Sequence, residues 1–220
     1  MMRKLRLLDL FSGAGGTAMG YHRAGFEVVG VDIKPQPHFP FEFHLADALT
    51  YPLDGFDVIH ASPPCQAHSA LKHLHPEKQY ECFIGRTRPL LEKTGRPWVI
   101  ENVPGAPLRI PVMLCGSSFG LRVRRHRLFE SSIQFITGLP CDHKTQGRPI
   151  DVSGTGGRRI NRRPDDHGGN TNKPRSIREA QEAMGIDWMT RYELSQAIPP
   201  AYTEFIGRQI INAIVKGKIP

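Results

Sequence analysis

The chain has 220 residues, a net charge of +8 and a pI near 9.6, a length that allows one ordinary domain with its own core and a charge that favours a polyanionic partner. Its four cysteines, at 65, 82, 115 and 141, form no CxxC pair and no dense framework, so a disulfide scaffold is excluded and a reducing, cytoplasmic setting is expected. No apolar stretch approaches a membrane span, and Met1-Met2-Arg3-Lys4 leads into a segment too short for a signal sequence, so neither export nor membrane insertion is expected.

Residues 5–10 form an apolar-rich run that reads as a first strand. Ser12-Gly13-Ala14-Gly15-Gly16 follows as a turn, and a helical pattern through Met19, Tyr21, His22 and Ala24 closes at Gly25. Residues 27–32 give a second strand ending in Asp32. A Pro/Phe-rich loop covers 35–43, Asp47-Ala48 ends a short segment, and residues 57–61 predict a buried strand. Directly after it stand Pro63-Pro64-Cys65-Gln66. Residues 77–93 suit a helix, and 97–100 a strand that ends at Glu101-Asn102. Strands alternating with helices to about residue 130 argue for a doubly wound, mostly parallel α/β sheet. Residues 137–175 lose all apolar periodicity and read as an insert-like loop. Ser176 and Thr190 each open a helix with a glutamate three residues on, as in a capping box. Residues 202–215 form an amphipathic helix expected to pack back on the sheet. The division expected is a catalytic, cofactor-binding unit over 1–130, a short basic recognition region over 131–175, and C-terminal helices over 176–220 that complete the first unit.

Two prolines fix their own φ and push the preceding residue toward extended geometry, so Cys65 sits on a stiff loop at a strand end, where ligands bind in open α/β sheets. Gly13-x-Gly15-x-x-Ala18 satisfies a dinucleotide-type fingerprint, with Asp32 placed 19 residues after Gly13 to accept ribose hydroxyls. Either a nicotinamide cofactor or S-adenosylmethionine fits that pattern. The charge is concentrated: residues 122–175 hold twelve Lys/Arg against five Asp/Glu, the footprint expected for nucleic acid.

Taken together, Asp9-Leu10-Phe11-Ser12-Gly13-Ala14-Gly15-Gly16, Asp32, Asp47-Ala48, Ser62-Pro63-Pro64-Cys65-Gln66, Glu101-Asn102-Val103 and Arg125-His126-Arg127 stand in the order of the DNA cytosine-5 methyltransferases, which this chain resembles in a compact form with a very short target-recognition region. The resemblance is dense over 5–130 and loose over 176–216. It implies a Rossmann-like, S-adenosylmethionine-dependent methyltransferase sheet with a small irregular recognition region, acting on double-stranded DNA as a monomer. Cys65 would add to cytosine C6, Glu101 would bond N3 and the exocyclic amine, and Arg127 would hold O2, with Arg125 assisting. Phe11 would stack on the adenine of the cofactor, Gly13 and Gly15 would let it approach the backbone, Asp32 would hold its ribose, Asp47 its amino group, and Pro63 would line the same site. Nearby arginines are expected to raise the thiolate fraction of Cys65. The target base would be flipped out of the duplex.

The chain departs from the family pattern at Val123, where a glutamine is usual, and at Ile198-Pro199-Pro200-Ala201-Tyr202, where Gly-Asn is usual. Compact family forms resemble those carried by bacteriophages, and whether a restriction enzyme accompanies this one is left open. Two other readings remain: a nicotinamide-dependent oxidoreductase, and a DNA-binding relative without catalysis. His68, His73, His75 and Cys82, and Cys141 with His143, match no standard zinc spacing, and no metal is expected.

Overall fold

In the computed structural model the described residues are 3–65, 81–133, 136–153 and 172–218. Among them, the strands in chain order are β1 (Arg6–Leu10), β2 (Glu27–Asp32), β3 (Glu42–Leu45), β4 (Val58–Ala61), β5 (Trp98–Asn102), β6 (Val112–Leu114) and β7 (Arg127–Ser131). The helices are α1 (Gly16–Ala24), α2 (Ile84–Lys93), α3 (Ile177–Met184), α4 (Arg191–Gln196) and α5 (Pro200–Val215). One sheet runs in the order β3-β2-β1-β4-β5-β7-β6. The first five strands are parallel; β7 runs antiparallel between β5 and β6. β1, β4 and β5 are apolar at most positions and buried on both faces, as parallel strands between helical layers must be.

One core layer joins α1 and α5 to the sheet through Leu7, Tyr21, Val28, Val58, Val99, Phe129, Tyr202 and Ile206. The opposite face carries α2 through Leu91, with Leu8, Val29, Ile59, Trp98 and Ile100. A third cluster, around Val123, Ile150, Ala183, Met184 and Leu194, anchors α3 and α4 and takes in part of the segment expected to be irregular. That segment is fixed at Ile150, whose backbone pairs with Asn172 in an isolated bridge.

The expected helix over 77–93 begins at Ile84; residues 77–80 lie outside the described residues, and 81–83 are not helical. Phe83 caps it without a side-chain bond, and Pro89 lies inside, so the apolar pattern rather than capping maintains it. Thr190 forms a full capping box with Glu193. Ser176 forms half of one: it accepts from the Glu179 amide, but the Glu179 carboxylate takes the amide of Arg175 instead. α5 starts at Pro200, earlier than the periodicity indicates, because proline is tolerated in the first helical turn.

Gly20 lets α5 lie directly on α1: a Cβ there would come within 2.0 Å of Thr203 Oγ1 and 2.1 Å of the Pro200 carbonyl oxygen. Gly20→Ala should therefore lower stability by about 1–3 kcal/mol, read from urea unfolding. On the other face Arg88 of α2 makes a bidentate pair with Glu130 of β7, both bonds 2.7 Å, and the Glu130 carboxylate also takes the Arg109 amide. Glu130→Ala leaves a buried guanidinium uncompensated and should cost about 3–5 kcal/mol in the same measurement.

Candidate active site

β3, β2, β1, β4 and β5 all end on one edge, and the winding reverses between β1 and β4, the point at which open α/β sheets hold ligands. The loop after β1 carries Phe11 and Gly13, with φ of 59° and 50°. A non-glycine residue in that region is strained, and such strain concentrates at functional sites. The Gly13 amide donates to Asp32 Oδ2 at 3.0 Å, and the Lys34 amide donates to Oδ1 at 2.9 Å, which fixes the carboxylate at the end of β2. Asp47, after β3, accepts the Leu49 amide. Gly15 begins α1, and a Cβ there would meet Pro40 Cδ at 2.8 Å and the Phe39 ring, so this glycine accommodates the loop over 35–43. Above Gly13 nothing lies within 4 Å of a Cβ, which leaves the backbone open to a ligand. Phe11 meets Phe83 edge-on at 6.4 Å, which ties the loop to the start of α2.

Cys65 follows β4, Glu101 lies within β5, and Arg127 begins β7, which enters the sheet from the same edge because it is antiparallel. Side chains alternate along a strand, so Glu101, Phe129 and Arg127 share one face. There Arg127 Nε lies 3.1 Å from Glu101 Oε1, both side chains being largely buried. Arg125 is held at a φ of 36° and donates to the Ser195 carbonyl at 2.7 Å, and its Nε is buried without a partner. Burial lowers its pKa to about 9, with the neighbouring charge of Arg127 adding to the effect. Gln66 lies outside the described residues.

Burial pushes the Glu101 carboxyl up, against the opposing pull of Arg127, the Ser62 hydroxyl and Arg125. Burial also pushes the Cys65 thiol up, and Glu101 adds to the rise; Arg127 and Arg125 pull it down without overcoming either. The expected increase in thiolate is therefore not met in the free protein, because desolvation and a like-charge carboxylate outweigh two cations.

Two supports went unrecognised in the sequence. Asn102 Nδ2 donates to the Pro63 carbonyl at 2.9 Å and its Oδ1 accepts the Val103 amide at 3.0 Å, so one buried amide pins the Pro-Pro-Cys loop to the end of β5. The sequence signal was its place beside Glu101. The other is a buried chain: Tyr21 Oη lies 3.0 Å from His60 Nδ1, His60 Nε2 lies 2.9 Å from Ser62 Oγ, and Ser62 bonds Glu101. Burial depresses the His60 pKa to about 3, so the ring is neutral. With Ser62 donating to the carboxylate, the network assigns the proton of His60 to Nε2 and makes Nδ1 the acceptor of the Tyr21 hydroxyl. Nothing in the spacing of Tyr21, His60 and Ser62 announces this contact.

Residues 5–107 match the sequence model of the family described as C-5 cytosine-specific DNA methylase. Over those residues, a little under half of its length, the chain is similar to that family. It is also 37% identical over 82 residues to the type II methyltransferase M1.HphI of Haemophilus parahaemolyticus, an alignment that takes in 30% of this chain and only 22% of that protein. Among solved structures, a protein described as a DNA modification methyltransferase encoded within an E. coli prophage superposes with a TM-score of 0.64 at 16% identity, over 96% of this chain and 100% of that one. Dnmt2 methyltransferase of S. pombe gives 0.59 at 12% identity, over 96% and 99%. Both likenesses concern the fold, which is that of a Rossmann-like methyltransferase sheet.

The family takes its methyl group from S-adenosylmethionine, and the strand ends fit such a molecule. Gly13 is open to solvent, Asp32 has accepted two of its roughly four possible hydrogen bonds, and the Ser12 hydroxyl is buried without a partner.

The pH dependence of Cys65 alkylation in DNA-free protein should have its midpoint above the ordinary thiol value of 9.0. Glu101→Gln should move that midpoint down and Arg127→Ala should move it up, as followed by mass spectrometry of the Cys65 peptide.

Proposed function

We propose that this protein transfers a methyl group from S-adenosylmethionine to C5 of cytosine in DNA, with Cys65 as nucleophile toward C6 of a base flipped out of the duplex. The observation that carries this reading is the convergence of Cys65 and Arg127, both partly buried, on the buried Glu101, in a group whose charges act on each other. Cytosine C5 is a weak nucleophile; addition of a thiolate at C6 turns it into an enamine carbon that can accept a methyl group. The negative charge that develops runs toward N3 and O2. Glu101, held toward its neutral form by burial, can protonate N3, and Arg127 can stabilise O2. The bound cofactor supplies an electrophilic sulfonium methyl. Phe11, Gly13, Asp32, Asp47 and Pro63 stand at successive strand ends where they would hold it, with Gly15 shaping the loop beside them.

The N3 proton then returns to Glu101, water takes the C5 proton, and Cys65 leaves as the thiolate by elimination. The charge of Glu101 opposes the thiolate, so the productive form carries a proton on Glu101 and none on Cys65. A target base inside a stacked duplex cannot reach this partly buried group, which supports base flipping. DNA is the expected partner: the basic stretch over 122–175 surrounds Arg125 and Arg127 and would contact phosphates more than bases. The division into a catalytic unit, a recognition region and closing helices is part of the same reading. The relative M1.HphI is a type II methyltransferase, so a partner endonuclease belongs to the proposal as a possibility to be sought beside the gene.

The test uses long, unmethylated DNA of diverse sequence, S-adenosylmethionine, and wild type or Cys65→Ala. After digestion to nucleosides, 5-methylcytosine should be formed by wild type alone, and Glu101→Gln should reduce the rate about 100-fold or more. Binding of DNA and cofactor without any product would instead identify a DNA-binding relative that lacks catalysis.

A further inference from the structure

Cys115, His126, Cys141 and His143 come together beside the arginine strand, with one ligand atom from each side chain lying within 4.8 Å of all the others. Cys115 Sγ is 3.2 Å from His143 Nε2, and Cys141 Sγ is 3.4 Å from His126 Nε2. The two imidazole rings meet edge-to-face at 5.2 Å. A tetrahedral zinc ion with bonds of about 2.3 Å to sulfur and 2.0–2.1 Å to nitrogen has ligand–ligand edges of roughly 3.3–3.8 Å. Two of the six ligand–ligand separations already match those edges, and none of the others exceeds 4.8 Å. Two thiolates and two neutral imidazoles are the donor set of structural zinc, and they fill all four positions, leaving none for catalysis.

We propose that these four residues bind a structural zinc ion that fastens the recognition region to the strand bearing Arg125 and Arg127. Sequence spacing concealed the site: its ligands are separated by ten, fourteen and one residues, and only the fold joins them. Antiparallel pairing puts Leu114 opposite Arg127, so Cys115, just after β6, faces His126, just before β7. Cys141 and His143 arrive from the other side, on a segment already tied down by Asp142 N to Ser117 Oγ at 3.0 Å and by Ser118 Oγ to the Pro140 carbonyl at 2.7 Å. The ligands are supported in turn: the Ser117 hydroxyl donates to Cys115 Sγ at 3.1 Å, the Gly116 amide donates to the Arg124 carbonyl, and Gln146 Nε2 bonds the Leu121 and Val123 carbonyls. His126 is the residue between the two arginines. A metal bond at its Nε2 would restrain the backbone of Arg125, whose φ is positive, and the direction in which Arg127 leaves the strand.

Such a staple answers a specific need of this chain. A segment as short and polar as 136–153 has little apolar surface to bury, and four metal bonds replace part of a missing core. The inference does not rest on methyl transfer and would hold for any activity of the site.

Protein produced without a histidine tag in zinc-containing medium, then freed of loose metal by gel filtration, should carry about one zinc per chain by elemental mass spectrometry. Cobalt added to the metal-free protein should give the intense visible bands and near-ultraviolet charge transfer of tetrahedral thiolate ligation. Cys141→Ser and His143→Ala should each lose most of the metal, whereas Cys82→Ser should retain it. Chelation should open residues 136–153 to limited proteolysis. The proposal is overturned if wild type holds no metal and gives no cobalt bands, if metal persists in both ligand variants, or if non-reducing peptide mapping finds Cys115 joined to Cys141 by a disulfide instead. Unchanged proteolysis after metal removal would overturn the staple role.

Discussion

The buried pair of Glu101 and Arg127, 3.1 Å apart, is the contact around which the site is arranged. It exists because β7 runs antiparallel beside β5. A parallel strand at that position would begin at the opposite edge of the sheet and carry its first residue away from the ends of β4 and β5. Reversal places Arg127 among them, and strand alternation directs it to the face of Glu101. The same alternation sends Glu130 to the other face, where Arg88 of α2 receives it. One short strand thus carries two ion pairs of different purpose. The Arg88 pair is bidentate and closed, whereas Glu101 is shared among Arg127, Ser62 and the charge of Cys65.

Sharing leaves the neutral form of Glu101 within reach. A carboxylate satisfied by a bidentate arginine would remain anionic and could give no proton to a base. Burial of Glu101 with an incomplete set of partners keeps its neutral form accessible, and the polar chain from Tyr21 through His60 and Ser62 limits the cost by supplying one donor. Asp9, on the neighbouring strand in register with His60, extends this pattern. Both its oxygens are buried without a hydrogen bond, and burial pushes its pKa well above the carboxylate range, with Asp32 and Glu101 adding to the rise. A protonated Asp9 adds no further negative charge behind Glu101. The layer between α1 and the sheet is therefore polar near the strand ends and apolar below, where Leu7, Val28 and Val58 fill it.

Features set by neighbouring residues could be read from the sequence. The first two strands, the glycine turn, α1 with its Gly25 cap, and the Thr190 box all depend on contacts a few residues apart, and all lie where the pattern puts them. Cys65 and Glu101 were legible because each ends an apolar strand with a residue costly to leave there without a purpose. Other features depend on pairing across distance. The antiparallel insertion of β7 leaves no local mark, since residues 115–126, including a short 3-10 helix at Gly116–Phe119, separate β6 from β7 where a two-residue hairpin would have announced the pairing. The supporting role of Asn102 requires knowing that the β4 and β5 ends are adjacent. The thiol of Cys65 was misjudged because the sequence shows the arginines but not the burial that opposes them.

Residues 136–153 show how a short polar segment can be ordered with little apolar surface. Ile150 and Val152 enter the cluster under α3 and α4, the Ile150 amide bonds the Arg122 carbonyl at 2.6 Å, and Gln146 bonds two carbonyls of the stretch leading to Arg125. Val123, which stands where the family usually has glutamine, is buried in that same cluster, and its carbonyl receives the Gln146 amide. The departure thus coincides with an attachment point for this segment rather than a gap in the site. The hydrogen bonds of Ile150 and Gln146 all reach the backbone between Cys115 and Arg127, the stretch that positions the arginines. A distortion of this segment on binding a polyanion would therefore be transmitted directly to Arg127 and, through its 3.1 Å contact, to Glu101.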